Sequence, residues 1–294
     1  MNNPKDLSGR PPVGTPVAQS LSASSARASR ADIPALRGPQ TLWWGMALPL
    51  LFFLVLPLAA LLWRTDMAQL WVHLADPAAA QAIRLSLQTT TTTVLLTVLF
   101  GTPVAYLLAR RDFPLRRVVD TLIDLPTVLP PAVAGLGLLM AFGRRGWLGA
   151  PLELLGIEIA FTSVAVVLAQ LFIASPFYVR AAAGGFAGIE SELEQAASLD
   201  GASRWQIFRF ITLPLVRMTL LGGLVMSWAR ALGDFGATII FAGNFPGRTQ
   251  TMPLAIYLGF EMDLDVALAL SVILIACAFV VLMAVKWLLA GERE

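Results

Sequence analysis

Arg230 and Asp234 stand four residues apart inside the apolar stretch Ser-Trp-Ala-Arg-Ala-Leu-Gly-Asp-Phe-Gly-Ala, residues 227–237. A charge within a bilayer costs roughly 2.5–3.5 kcal/mol on insertion scales, so such residues face a bundle interior or water and seek partners. On a continuous helix the i, i+4 spacing puts both on one face and predicts an ion pair. Two uses fit: a structural pair that holds the helix in its bundle, or a cation, Arg230, set along a solute path where it favours an anion. A second polar island, Glu-Gln-Ala-Ala-Ser-Leu-Asp-Gly-Ala-Ser-Arg-Trp-Gln-Ile-Phe-Arg-Phe-Ile-Thr-Leu-Pro, fills residues 194–214. The threonines at 89–93 offer hydroxyls that either bond back to helix carbonyls or line a polar passage.

Covalent chemistry has little material here. Cys277 is the single cysteine and His73 the single histidine, so neither a disulfide nor a zinc site can be built within one chain. Of the two lysines, Lys5 and Lys286, neither follows the Gly-rich turn of a phosphate-binding loop. ATP binding in that manner is excluded, and no catalytic residue, metal or cofactor of the chain's own is expected. Asp120 and Asp124 precede Pro126, Pro130 and Pro131 and read as the flank of a kinked apolar run, with proton relay as the alternative.

The elements that must position these residues are membrane helices. The chain has 294 residues, 57% hydrophobic and 14% charged, against about 25% charged in soluble domains. Six apolar runs, at 42–63, 85–109, 125–143 (starting near 118), 159–179, 218–242 and 266–285, approach or exceed the roughly 20 residues needed to cross a bilayer. Trp43, Trp44, Trp63, Trp147 and Trp287 sit near run ends, as interfacial aromatics do. With the N-terminus inside, fifteen Lys and Arg fall on cytoplasmic segments and five on outer ones, which predicts both termini in the cytoplasm. The net charge of +2 is assigned to those segments and not to nucleic acid. Residues 1–40, rich in Ser, Pro, Ala and Arg, predict a disordered cytoplasmic tail. Residues 41–290 form the membrane domain.

The polar island then lies between the fourth and fifth spans, on the cytoplasmic side. Gly201 predicts a sharp turn between two short helices, since glycine costs about 1 kcal/mol inside a helix. Ser203 is a plausible N-cap. Small residues, a turn and then Trp205, Ile207, Phe208 and Ile211 make a compact knob suited to a groove on another protein, or an amphipathic helix lying on lipid. Pro214 is expected to stop the segment before the next apolar run.

The island resembles the EAA loop of ATP-binding-cassette importer permeases: Gln195, Ala196 and Ala197, then Gly201, then Ile211, Leu213 and Pro214 at matching distances. Gln195 departs from the usual Glu, and Glu194 beside it is expected to supply the charge. The resemblance implies an all-α polytopic membrane protein of the type I importer permease fold, with six spans and a coupling helix at about 190–212. It further implies a homodimer in the bacterial or archaeal inner membrane, a cytoplasmic ATPase dimer that holds the ATP, and an extracytoplasmic oxyanion-binding protein. Coupling residues carried over are Glu194, Gln195, Ala196, Ala197, Gly201, Trp205, Ile211, Leu213 and Pro214. The run from Ala229 to Tyr257, with Gly-Asn-Phe-Pro-Gly-Arg-Thr-Gln-Thr-Met-Pro-Leu-Ala-Ile-Tyr at its end, looks like the molybdate/tungstate branch, close kin of the sulfate branch. A secondary transporter, with Asp234 as its coupling carboxylate, is the rival from another class.

Overall fold

The computed structural model describes residues 40–66, 70, 72 and 75–290. The expected tail, apart from residue 40, and His73 lie outside them. The chain divides after Leu58 into two units. The described part of the first is most of α1 (Gln40–Arg64), an apolar helix whose one charge is its last residue and which holds Pro49 and Pro57.

The second unit is a helical bundle. In order it contains α2 (Pro77–Arg110), α3 (Arg116–Val128), α4 (Pro131–Phe142), α5 (Gly149–Leu154) and α6 (Ser163–Ala187). The short α7 (Ser191–Leu199) and α8 (Arg204–Ile207) follow, then a π turn over Phe208–Thr212, α9 (Leu213–Leu232), α10 (Gly236–Phe241), α11 (Met252–Met262) and α12 (Leu264–Ala290). No strand occurs among the described residues.

Helix α6 is the hub, with α2 and α9 packed along it and α3, α4 and α10 against it. Its sequence explains this. Lipid gives apolar faces no reason to associate, so close van der Waals packing of small residues must do so. Ala165, Ala169, Ala174 and Ala182 of α6 are fully buried. Where α9 crosses, a side-chain carbon added to Gly223 would lie 2.7 Å from the Ala181 Cβ. On the α2 side, one added to Gly101 would lie 3.1 Å from Val179. Polar bridges complete the seams. Thr93 donates to Gln170 Oε1 at 3.1 Å, Thr102 and Tyr178 share a 2.6 Å bond, and Ser227 donates to the Ala174 carbonyl at 3.0 Å. The threonine run thus divides: Thr89 and Thr92 bond back to Leu85 and Gln88, whereas Thr93 reaches another helix. Helix α11 is pinned at its start, where Met252 N–H donates to Ser86 Oγ at 2.7 Å.

Three expected spans are redrawn. The run at 125–143 is not one helix: α3 and α4 meet at 118° across Leu129 and Pro130, because Pro131 begins a new helix and residues before proline leave the α region. Among the described residues five other helices are long and apolar enough to cross a membrane, and the bent pair makes up to six. The fourth span does not end at 179. Helix α6 continues to Ala187 because Arg180, which on charge alone marks an end, is neutralised within the bundle. It reaches Asp120 and Asp124 of α3 at 2.5 Å each and the Asp120 carbonyl at 2.7 Å. The fifth span stops at Leu232, and α10 is a separate short helix. Exposed Trp63, Trp147 and Trp287 sit close to helix ends, as expected.

Candidate functional site

The polar island folds as two short helices about a tight turn. Helix α7 closes in a Schellman arrangement: Ala202 N–H bonds the Ala197 carbonyl at 3.0 Å and Gly201 N–H the Ser198 carbonyl at 3.1 Å. Gly201 holds φ +86° in open space, a left-handed conformation that glycine supplies without strain. Ser203 then caps α8 in a reciprocal box, its Oγ accepting from Gln206 N–H while its own N–H donates to Gln206 Oε1. Leu199, 89% exposed, and Trp205, 66% exposed, project on either side of the turn. Gln195, Ala196 and Gly201 are exposed as well.

Pro214 does not stop the helix. Leu213 N–H bonds the Phe208 carbonyl five residues back, so a π turn widens the backbone just before the proline. Proline lacks an N–H and its ring strikes the carbonyl four residues back, and the wider turn absorbs both defects. Residues Arg204–Leu232 therefore run as one 29-residue span, rooted directly in the knob. Ile211 and Leu213 are half-buried on this root.

The exposed face does not carry the charge assigned to Glu194. Its Oε1 accepts from Thr212 Oγ1 at 2.8 Å and from Arg110 Nη2 at 3.3 Å, so its charge is balanced inside the chain. Sequence reasoning missed Arg110 and Thr212. Arg110 reads as one of four arginines in a polar loop, and nothing local marks it as the last residue of α2.

The expected i, i+4 pair of Arg230 and Asp234 is not formed on one helix, because α9 ends at Leu232 and Gly233 turns the chain. Asp234 is buried, and its Oδ2 accepts from Thr238 N–H at 3.1 Å and Thr238 Oγ1 at 2.7 Å. It fastens the start of α10, and Arg230 acts on it only through its field. Asp234→Ala is expected to lower stability by about 1–3 kcal/mol by stranding a buried N–H. Asp234→Asn, whose amide oxygen accepts in the same place, is expected to stay within about 1 kcal/mol of the parent. Unfolding titrations in detergent read the difference.

Beyond α10 the chain turns, with Gly243 and Gly247 both at φ +74°. Thr249 Oγ1 accepts from Phe245 N–H and donates to the Gly243 carbonyl, and Asn244 reaches the Leu254 carbonyl. Much of the stretch that suggests an oxyanion thus builds its own turn.

Comparison with known proteins bears on the whole arrangement. Residues 101–291 match the model of the family described as binding-protein-dependent transport system inner membrane component. The chain belongs to that family. This permease is 42% identical over 233 residues to the molybdenum transport system permease protein of Mycobacterium tuberculosis, covering 79% of this chain and 88% of that one. It is 42% identical over 220 residues to the protein of the same name from Escherichia coli K12, covering 73% and 95%. A probable sulfate transport system permease protein of Nephroselmis olivacea is 34% identical over 258 residues, 85% of this chain and 91% of that one. Among solved structures, a bacterial ABC transporter involved in alginate import superposes with a TM-score of 0.66 at 17% identity, covering 95% and 99% of the two chains. At that identity the likeness speaks for the fold alone. The permease is a polytopic, all-helical inner-membrane transport component, not an enzyme.

Proposed function

We propose that this permease carries molybdate or tungstate into the cytoplasm, driven by ATP hydrolysis on a separate subunit. The observation that carries the reading is the 42% identity to molybdenum permeases over most of both chains, joined to the exposed knob at the root of α9. Sulfate, the cargo named for the more distant relative, is the second reading. A secondary transporter would have no use for that knob.

In this mechanism two copies of the chain enclose the path, both termini lie in the cytoplasm, and an extracytoplasmic binding protein delivers the oxyanion. The turn at Gly201, with Ala196, Ala197, Leu199 and Trp205 around it, docks in a cleft of the ATPase. Closure of the ATPase dimer displaces the knob. Because the segment is continuous with α9, the spans then rock between inward-open and outward-open states, a rigid-body change of bistable packing. The chain binds no cofactor itself. Arg230, half-buried in the last turn of α9, favours an anion along the path.

The test is reconstitution with an ABC ATPase and an oxyanion-binding protein of a molybdenum transport system. ATP-dependent uptake of labelled molybdate is expected, competed by tungstate more strongly than by sulfate. Uptake sustained by a proton gradient without ATP defeats the reading, and preference for sulfate transfers it to the second. Arg230→Gln is expected to reduce oxyanion uptake several-fold, and unchanged uptake and selectivity would remove Arg230 from the path.

A further inference from the structure

A single polar node joins the knob to the bundle. Glu194 Oε1 takes hydrogen bonds from Arg110, the last residue of α2, and from Thr212, in the π turn that roots α9. The same Arg110 Nη2 also donates at 3.2 Å to the carbonyl of Ile189, in the linker between α6 and α7. Thr212 is 1% exposed, and the Arg110 and Glu194 side chains are 15% and 21% exposed. Four parts of the chain meet on one carboxylate and one guanidinium, largely removed from water, where a charged hydrogen bond is stronger and more directional.

An aromatic chain runs alongside. Trp205 stacks on Phe208 at 5.8 Å, Phe208 meets Tyr106 of α2 edge-on at 5.6 Å, and Tyr106 meets the buried Phe186 of α6 edge-on at 5.5 Å. Rings at these distances interlock and do not slide freely. The Trp205–Phe208 stack ties α8 to this chain of rings. Helix α7 buries none of its residues, and Glu194 is the side chain that joins it to the end of α2 and to the π turn.

We infer that Glu194 is a positioning residue for transport: with Arg110 and Thr212 it locks α7 to the end of α2 and the root of α9, so that a push on the knob moves both spans together. This rests on the coupling reading above. Glu194 itself need not touch the ATPase. Without the node, the knob can dock and be displaced while α7 yields and the displacement is dissipated.

The readout is the ratio of molybdate taken up to ATP hydrolysed in proteoliposomes holding the full complex. Glu194→Ala and Thr212→Val are each expected to lower that ratio, Glu194→Ala by about tenfold, within the usual range of a coupling between sites. Glu194→Gln, which keeps the acceptor for Thr212 and loses the charge, should fall between. A merely structural role would reduce the amount of assembled complex and scale uptake and hydrolysis together, leaving the ratio unchanged. An unchanged ratio in Glu194→Ala, or loss of assembly in all three variants, overturns the inference. Trp205→Ala separates the two levels: if it assembles, hydrolyses and transports like the parent, the coupling reading itself fails. If it is impaired while Glu194→Ala keeps the parental ratio, only the node is wrong.

Discussion

Gly201→Val is expected to reduce ATP-dependent uptake by the reconstituted complex by about tenfold or more, while Gly201→Asn retains most of it. Gly201 sits at φ +86° with nothing within 4 Å of where a Cβ would stand, so the penalty is one of backbone and not of collision. A left-handed residue with a Cβ costs roughly 1–2 kcal/mol, more when β-branched, and asparagine tolerates the region best among non-glycine residues. The turn relieves that strain by leaving the left-handed well. The Schellman bonds of Ala202 and Gly201 then break, and Leu199 and Trp205 lose their spacing. Since about 1.4 kcal/mol is tenfold in an equilibrium, the docked fraction falls accordingly. Initial uptake rates, with co-purification of the ATPase as a companion measurement, decide the matter. Equal behaviour of the valine and asparagine variants would mean that the turn geometry does not govern docking.

Arg180→Leu is expected to destabilise the bundle by about 2–4 kcal/mol, less than three charge-assisted hydrogen bonds would sum to at about 1.5–3 kcal/mol each, because the groups are partly open to solvent. The Arg180 side chain is 35% exposed, and those of Asp120 and Asp124 are 50% exposed. The guanidinium serves both carboxylates and a backbone carbonyl at once, in a fork that lysine does not reproduce, so Arg180→Lys should recover only part of the loss. Asp120→Asn with Asp124→Asn, added to Arg180→Leu, should recover part of it too, by removing two like charges left facing each other. Denaturation midpoints of the purified protein in detergent test the series. A midpoint for Arg180→Leu within experimental error of the parent would show that α3 is held to α6 by apolar packing alone.

These two residues mark where sequence reading succeeds and where it stops. The turn at Gly201 and the cap at Ser203 are local events. Glycine's freedom at positive φ and a serine three residues before a glutamine act within one or two turns of chain, so residue order alone determines them. Composition and the lengths of apolar runs likewise determine an all-helical membrane protein, since the bilayer leaves a spanning segment few ways to satisfy its backbone. Tertiary structure decided everything that depends on a partner distant in the chain. Arg180 reads as the end of a span until Asp120 and Asp124, 60 and 56 residues away, neutralise it inside one. Arg230 and Asp234 read as a pair until α9 ends between them and Thr238 takes the carboxylate. Glu194 reads as an exposed charge until Arg110, 84 residues away, and Thr212 draw it inward. The physical reason is common to the three. The cost of a charge near or within the membrane is set by what lies beside it in space, and spacing along the chain carries that information only within a helical turn.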